Sequence, residues 1–192
     1  MLLVGVEVAL KHMGRVIALV GLPGSGKSTV GRQLARRHGL TFLDSDALIE
    51  KEIGCSIKDF FDEQGEAAFR DKEARVLAAL ISDGEGVLST GGGAVLRAEN
   101  RRALHDGCHV VYLRSAPEEI FRRLRHDRTR PLLQVADPLK KLQALYEERD
   151  PLYREVAHFT IETGRPSVAT LVNMISMQLE LAGFSLSRTA GG

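Results

Sequence analysis

"RVIALVGLPGSGKSTVGRQLARRHG", Arg15–Gly39, carries in order the signals of a strand, a glycine-rich loop and a helix. The run Arg15–Gly21 is short, aliphatic and β-branched, which is typical of a buried parallel strand. From Val30 onward apolar residues recur at helical spacing, and Gly39 is suited to end the helix. The chain is therefore predicted to pass from strand to loop to helix within this one stretch.

The loop between that strand and that helix is predicted to bind phosphate. GLPGSGKS, Gly21–Ser28, matches the pattern G-x-x-x-x-G-K-[ST]. Glycines allow consecutive backbone N–H groups to face a phosphate chain, and the helix N-terminus adds a partial positive charge. We expect Lys27 to supply a cation for the β and γ phosphates and the Ser28 hydroxyl to ligate Mg²⁺. The nucleotide-binding residues predicted from the loop are Gly24, Ser25, Gly26, Lys27, Ser28 and Thr29.

A chance match is the alternative to phosphate binding, and the strand and helix on either side of the loop argue against it. The loop does not identify the reaction, because GTPases, motors, small-molecule kinases and nucleotide sensors all carry it. Other segments of the chain must distinguish these functions.

Strands and helices alternate along the rest of the chain. Short strands are predicted in TFLDSD, GVLST, HVVYL and HFTIE. Helical patterns lie between them and after them, at 66–81, 99–106, 117–124, 139–156 and 167–182. Such alternation implies right-handed crossovers and a parallel sheet covered on both faces. The predicted fold class is α/β, a three-layer sandwich of P-loop type with five parallel strands flanked by helices.

The composition excludes several classes of protein. The 192 residues are 44% hydrophobic and 27% charged, as in a globular protein with a substantial core. The net charge of +1 argues against a nucleic-acid partner held by overall charge. Cys55 and Cys108 lack the spacing of metal ligands or of a disulfide framework. The apolar run MLLVGVEVAL is interrupted by Glu7 and too short to span a bilayer, so we expect no membrane partner and a cytoplasmic protein.

One domain is expected, from residue 15 to residue 183. Residues 1–14 are expected to be an N-terminal extension, and residues 184–192 a C-terminal tail. No internal repeat and no interdomain linker is evident between them. We expect the protein to be a monomer.

Two aspartates follow the second predicted strand. Asp44 and Asp46 are two residues apart and point to the same side of an extended backbone, at the strand end where open α/β sheets bind ligands. One carboxylate could hold Mg²⁺ through water, and the other could accept a hydroxyl proton or orient the acceptor alcohol. The alternative is that one of them caps the helix that starts near Ala47. Beside a phosphate-binding loop, catalysis is favoured.

Five arginines are concentrated in RRLRHDRTRPLL, Arg122–Leu133. Because like charges repel, such a segment is most easily tolerated as a solvated, mobile loop until an anion binds. A mobile lid over about 122–137 is predicted, in which Arg130 closes over the transferring phosphoryl group. A solvated helix end is the preferred interpretation of Arg122, Arg123 and Arg125. Nucleic-acid binding is disfavoured, because no aromatic residues are interleaved with the arginines.

Three consecutive glycines, Gly91, Gly92 and Gly93, follow the strand GVLST. Glycine permits positive φ and the close approach of another group, at an entropic cost that is rarely accepted three times without need. A plain turn and a ligand close to the backbone are both open interpretations of this run alone.

Together these segments resemble the shikimate kinases, within the nucleoside monophosphate kinase-like group of P-loop folds. The resemblance rests on an ordered set: GLPGSGKSTVG, FLDSD, SIKDFFDEQGEAAFRDKE, TGGGAVL, DRTRPLL and ERDPLYRE. It extends from Arg15 to about Ala182. The likeness implies transfer of the γ-phosphoryl group of ATP to the 3-hydroxyl of shikimate, a step toward chorismate and the aromatic amino acids, with Mg²⁺ as cofactor.

The family pattern implies the roles of residues around the nucleotide. Lys27 and Ser28 would serve ATP and magnesium, and Asp44 would hold the metal through water. Arg130 matches the lid arginine, which acts with Lys27 in catalysis. Arg165, in ETGRPS, is similar to the residue that packs against adenine.

The same pattern implies the roles of residues around the acceptor, whose binding region would be about 45–75. Asp46 matches the acid that contacts the shikimate hydroxyls and is the candidate base. Arg70 and Arg149 match the pair that grips the substrate carboxylate, and Glu73 would hold Arg70 in place. The glycines Gly91–Gly93 would bring backbone N–H groups to the substrate.

Two other functions fit parts of the sequence. A related kinase acting on another small acid, such as gluconate, would have a similar shape. A sensing module could bind a nucleotide and an aromatic acid without turnover. The presence of both Asp44 and Asp46 favours chemistry, and the N-terminal extension is too short for a helix-turn-helix.

Overall fold

The computed structural model describes residues 14–125, 134–184 and 186. Five strands form one sheet in the order β2-β3-β1-β4-β5, and every neighbouring pair is parallel. The strands are β1 Val16–Val20, β2 Phe42–Asp44, β3 Gly86–Ser89, β4 Cys108–Arg114 and β5 Phe159–Glu162. Each lies within one of the runs from which a strand is predicted, except that β4 extends one residue beyond HVVYL at each end.

Helices cover both faces of this sheet. In the described ranges they are α1 Lys27–His38, α2 Ser45–Ile53, α3 Ile57–Asp83, α4 Ala98–Gly107, α5 Pro117–Leu124, α6 Pro138–Val156 and α7 Val168–Leu181. The parallel five-stranded sheet and its flanking helices confirm the predicted fold class. No helix in the described ranges is long and apolar enough to cross a membrane.

The core lies on both faces of the central strand. Val16–Val20 are all 0% exposed, and their side chains alternate between two layers. One set packs with α3, α4 and α6, whose buried residues include Leu77 and Leu142. The other set packs with α1 and α7, whose buried residues include Leu34 and Ile175. β1 is thus fixed on both sides, and the loop that follows it starts from a rigid point.

Local sequence explains how the helices begin and end. Gly39 ends α1 with φ 64, the left-handed conformation that glycine adopts without strain. Side chains cap the next helices at their N-termini: Asp44 caps α2, and Ser56 caps α3. Gly65, with φ 82 and ψ 168, interrupts the helical conformation inside α3, so the predicted helix from residue 66 corresponds to the second part of α3.

The strand order brings three predicted motifs to one edge of the sheet. β1 is followed by the phosphate-binding loop, β2 ends at Asp44, and β3 ends at Ser89 just before the glycine run. Asp44 pairs in register with Ser89, and Ser89 with Leu19 of β1. Because all strands are parallel, their carboxyl ends form one continuous edge, at which open α/β sheets bind ligands.

The opposite edge of the sheet carries a pair of stacked histidines. The rings of His105 and His158 are 4.7 Å apart between centroids, and the Val110 N–H donates to Nδ1 of His158 at 3.1 Å. Burial and then the neighbouring His105 lower the pKa of His158, with Asp106 acting in the opposite direction. His158 is therefore held in its neutral form, with Nδ1 as a hydrogen-bond acceptor.

This arrangement predicts that His158 makes stability depend on pH. Its pKa is lower in the folded chain than in the unfolded chain, so its contribution is present above about pH 6.5 and is lost as pH falls below that value. We expect wild type to lose more unfolding free energy between pH 7.5 and pH 5.5 than His158→Asn, whose amide oxygen can accept from Val110 without titrating. Urea unfolding at both pH values measures this, and equal losses would contradict it.

Candidate active site

The phosphate-binding loop lines a cleft of about 610 Å³ at the carboxyl edge of the sheet. The loop turns into α1 at Gly26, whose φ of 95 and ψ of 12 place it in the left-handed region. No side chain caps α1, so its N-terminus presents backbone N–H groups and partial positive charge to an anion. The predicted nucleotide residues, from Gly24 to Thr29, all line this cleft.

The Lys27 side chain folds back over the phosphate-binding loop. Its ammonium group donates to the carbonyl oxygens of Gly21 at 2.8 Å and Leu22 at 2.9 Å, and the residue is only 7% exposed. These contacts hold a cation at the cleft. The hydroxyl of Ser25 is buried here without a hydrogen-bond partner among the described residues.

Ser28 and Asp44 meet at the base of the cleft. The Ser28 hydroxyl donates to Oδ2 of Asp44 at 2.9 Å and lies 3.1 Å from the Ser89 hydroxyl. The other oxygen, Oδ1, accepts from the backbone N–H groups of Asp46 and Ala47 and so caps α2. Asp44 is therefore a helix cap through one oxygen and faces the phosphate-binding loop through the other, which joins the two interpretations of its sequence position.

These oxygens suit Mg²⁺, a hard cation that usually takes one or two protein ligands and completes its shell with phosphate oxygens and water. No group of three or more His, Cys, Asp or Glu side chains in the described ranges could hold a metal by itself. The donor set of Ser28 and Asp44 fits an ion that is shared with a nucleotide.

Asp46 lies at this cleft, close to Glu73 of α3. It lines the cleft, and a Cβ on Gly91 would lie 2.5 Å from its Oδ1 and 3.2 Å from Oε1 of Glu73. Burial, followed by the negative charges of Asp44 and Glu73, raises the pKa of Asp46 to about 6, while Lys27 acts in the opposite direction. A carboxylate with this pKa can accept a proton near neutral pH.

Two glutamates on α3 hold Arg70, and one of them is Glu73, the residue expected from the sequence to hold it. Its Nη1 donates to Oε2 of Glu73 at 2.7 Å, and its Nη2 donates to Glu66 at 3.1 Å. The side chain of Glu73 is 1% exposed and that of Arg70 is 13% exposed. Burial raises the pKa of Glu73, and the Arg70 guanidinium opposes this shift. The pair fixes the Arg70 guanidinium next to Glu73, whose carboxylate lies near Asp46 across Gly91.

Aromatic rings surround the Arg70 guanidinium. It lies 5.2 Å from the ring centroid of Phe69 and 5.9 Å from that of Phe61, and the two rings are 4.6 Å apart. Phe69 is buried whereas Phe61 is partly exposed. Phe69 is thus a core residue that also supports the arginine, and Phe61 forms part of the wall next to it.

Arg149 approaches the same region from α6. Its side chain is 14% exposed, and its positive charge acts on both Glu73 and Tyr153. Arg70 also acts on Tyr153, so the two arginines that are 79 positions apart in sequence lie near one buried group. The structure brings together the two predicted carboxylate-binding arginines.

The glycine run is required by neighbouring side chains. A Cβ would lie 2.5 Å from Oδ1 of Asp46 at Gly91, 2.7 Å from Cδ of Pro23 at Gly92, and 2.5 Å from Nη2 of Arg70 at Gly93. None of the three has a positive φ, so close approach and not backbone conformation explains the run. The Gly91 N–H donates to the Ser45 hydroxyl at 3.0 Å. The N–H groups of Gly92 and Gly93 have no hydrogen-bond partner among the described residues.

Arg123 is exposed in the last turn of α5, as a solvated helix end predicts, but the structure gives it a second environment that the sequence interpretation lacked. It lines the cleft, and its Nη2 donates to the backbone and side-chain oxygens of Thr163, each at 3.3 Å. The apolar face of α5 packs against Gly24 of the loop through Ile120 and Leu124, which turns Arg123 toward the cleft. The spacing of Ile120 and Leu124 in the sequence indicates which face of α5 is apolar, and this is the signal from which the direction of Arg123 could be found.

Arg165 and Arg130 are the other predicted nucleotide residues, and neither is among the cleft-lining residues that the structure describes. Arg165 is exposed, and its neighbours Gly164, Pro166 and Ser167 line the cleft. Arg130 falls within residues 126–133, outside the described residues. Its role in a lid stays a prediction.

Comparisons with known proteins agree on one family. The family model described as shikimate kinase matches residues 23–180. A shikimate kinase of Paracidovorax citrulli is 61% identical over 170 residues, which are 87% of this chain and 93% of the relative. One of Burkholderia pseudomallei is 58% identical over 167 residues, which are 87% and 91%. The solved shikimate kinase of Acinetobacter baumannii in complex with shikimate has a TM-score of 0.82 at 46% identity and covers 91% of this chain and 97% of its own.

Proposed function

The chain belongs to the shikimate kinase family, and from this membership we propose how its residues share the work of the reaction. The enzyme transfers the γ-phosphoryl group of ATP to the 3-hydroxyl of shikimate. The position of Asp46, between the phosphate-binding cleft and the buried Arg70–Glu73 pair, supports the assignment of roles. ADP release in the presence of ATP, Mg²⁺ and shikimate, compared with gluconate at equal concentration, tests the reaction and its acceptor.

We propose that Asp46 is the general base. It accepts the proton of the attacking 3-hydroxyl while the oxygen forms its bond to phosphorus, and the bond to the ADP oxygen breaks. The raised pKa of about 6 leaves the carboxylate ionised at neutral pH yet basic enough to take up the proton. Lys27 and the N-terminus of α1 stabilise the charge that develops on the phosphates.

Magnesium belongs to this proposal. Ser28 and Asp44 would hold it, Ser28 through its hydroxyl and Asp44 through Oδ2, directly or through water. When bound, the ion neutralises charge on the β and γ phosphates. In this proposal Asp44 also positions the α2 backbone at Asp46, because the same carboxylate caps the helix.

At the acceptor end, Arg70 and Arg149 clamp the shikimate carboxylate. Guanidinium forks bind carboxylates with two parallel hydrogen bonds, which orients a small rigid acid as well as attracting it. Glu73 and Glu66 hold Arg70, so little conformational entropy is lost when the acid binds. The N–H groups of Gly92 and Gly93 supply further donors close to the ring.

The domain limits are also proposed. The catalytic domain extends from residue 15 to about residue 183, the acceptor region covers about 45–75, and a lid at about 122–137 brings Arg130 over the transferring group. Large exposed apolar side chains in the described ranges are Val135, Met177 and Leu181, too few for a stable dimer interface, which supports a monomer. Its use of ATP and a free acid is consistent with a cytoplasmic enzyme that has no membrane or nucleic-acid partner.

Replacement of Arg123 by alanine is expected to raise the KM for ATP by about three- to tenfold, because a cleft-lining guanidinium is lost. The KM for shikimate is expected to stay within about twofold. Arg122→Ala is the matched control, since Arg122 is an exposed neighbour on α5 outside the cleft lining. Steady-state kinetics with each substrate varied in turn provides the measurement. An unchanged KM for ATP in Arg123→Ala would remove this residue from the nucleotide site.

A further inference from the structure

Tyr153 is a fully buried tyrosine that the sequence did not single out. It lies on α6, one turn beyond Arg149, and is 0% exposed. Its hydroxyl donates to the carbonyl oxygen of Gly92 at 2.6 Å, and its ring lies 5.0 Å from that of Tyr112. One buried side chain therefore joins α6 to the glycine run.

Each end of this link leads to a group of the active site. Gly92 lines the cleft and lies against Pro23 of the phosphate-binding loop, so the hydrogen bond to its carbonyl connects Tyr153 to the nucleotide side of the cleft. The neighbouring Gly93 leaves the space that the Arg70 guanidinium fills. At the other end, Tyr153 is one turn from Arg149 on α6, near enough for the positive charge of Arg149 to act on its phenol. The hydrogen bond to Gly92 therefore fixes the helix that carries Arg149 against the glycine run.

The charge state of Tyr153 is suited to this contact. Burial raises the pKa of its phenol, and the positive charge of Arg149 only partly opposes the shift. The hydroxyl therefore stays protonated at physiological pH and remains a donor to Gly92. Phenylalanine in its place would keep the ring and remove this hydrogen bond.

We propose that Tyr153 is a positioning residue that holds α6, and with it Arg149, at a fixed distance from the glycine run through its hydrogen bond to Gly92. The inference rests on the proposed function, in which Arg149 binds the shikimate carboxylate and the Gly92 N–H faces the acceptor. Tyr153 itself touches neither substrate. Its contribution is to hold two binding groups from distant parts of the chain in one geometry.

The test is the kinetics of Tyr153→Phe. We expect kcat/KM for shikimate to fall by about tenfold, the loss of one well-formed buried hydrogen bond, while the Kd for ATP without shikimate stays within about twofold of wild type. Tyr112→Phe is the matched control: Tyr112 is 1% exposed, is in ring contact with Tyr153, and donates its hydroxyl to Asp150 at 2.8 Å. It loses a buried hydroxyl that does not bond to the glycine run, so its kcat/KM is expected to match wild type.

Thermal melting of both variants separates positioning from stability. If both lower Tm and both keep the wild-type kcat/KM for shikimate, Tyr153 is only structural and the inference is overturned. Arg149→Ala in the same assay tests the proposed function separately: an unchanged KM for shikimate would refute the clamp. In the Arg149→Ala background, Tyr153→Phe is expected to have less than half of its single effect, and full additivity would overturn action through Arg149.

Discussion

Replacement of Asp46 by asparagine is expected to lower kcat by about 10²–10⁴-fold, the range for a lost general base. Asparagine has nearly the same shape and keeps the side chain in the same place, but it cannot accept the proton of the acceptor hydroxyl. ATP binding is expected to remain close to wild type, because the phosphate-binding loop is unchanged. Single-turnover phosphoryl transfer and equilibrium nucleotide binding measure the two effects. A kcat within about threefold of wild type would refute the role of Asp46.

The same substitution is expected to stabilise the fold at pH 7.5. The pKa of Asp46 is about 6 in the folded chain and lower in the unfolded chain, so the folded state binds more protons between these values and stability falls as pH rises through this window. Above it the ionised carboxylate costs on the order of 1–3 kcal/mol, which asparagine removes. Urea unfolding at pH 7.5 and pH 4 should show this gain at the higher pH alone. Asp62→Asn, at an exposed position on α3, is the control and should change little.

The pH dependence of kcat is expected to show the same pKa. We expect kcat to fall as pH is lowered through about 6, because protonated Asp46 cannot act as a base. Asp46→Asn should lose this acid limb along with most of the activity. An acid limb that is retained in the variant would point to another group.

The second large effect is expected for Arg70→Lys, which should raise the KM for shikimate by about 10–100-fold with little change in the KM for ATP. Lysine keeps a positive charge near the buried Glu73, so the fold is not left with an unpaired buried carboxylate. It loses the planar fork that binds Glu66, Glu73 and the substrate acid together. The measurement is steady-state kinetics with shikimate varied at saturating ATP.

Arg97→Lys is the control for this substitution. Arg97 also pairs with acids, Asp71 at 2.6 Å and Glu99 at 3.2 Å, but its side chain is 31% exposed and lies outside the cleft lining. It should leave both KM values near wild type. If Arg70→Lys behaves like Arg97→Lys, guanidinium geometry has no role in acceptor binding.

Much of the fold could be predicted because its signals are local. The loop Gly21–Ser28 combines a sequence pattern with the strand and helix that it needs, and the alternation of strands and helices implies the parallel sheet. The first part of α3, from Ile57 to Gln64, was not predicted. Its apolar pattern is brief, and it is separated from the rest of the helix by Gly65, so only the cap at Ser56 indicates it.

The site was harder to predict where function depends on packing between distant segments. Arg123 and Tyr153 carry no motif, and only the packing of α5 on the loop and of α6 on the glycine run shows what they contact. For Asp44 the site and helix-cap interpretations do not exclude each other, because Oδ2 accepts from Ser28 of the phosphate-binding loop while Oδ1 caps α2. For the glycine run, approach of the substrate to the backbone stays a prediction. The groups that approach most closely in the structure are side chains of the protein.

The break at Gly65 has a consequence for engineering. Among the described residues, no heavy atom beyond the adjoining ones lies within 4 Å of where a Cβ at Gly65 would be, so the break follows from the backbone conformation of glycine and not from a close neighbour at that position. The helical hydrogen-bond register is interrupted there, before Arg70 and Glu73. The exposed positions of the segment Ile57–Gln64 can therefore be varied as a unit, for example in a library selected for new acceptor acids, provided that Phe61 is kept, because its ring packs on Phe69 and lies 5.9 Å from the Arg70 guanidinium.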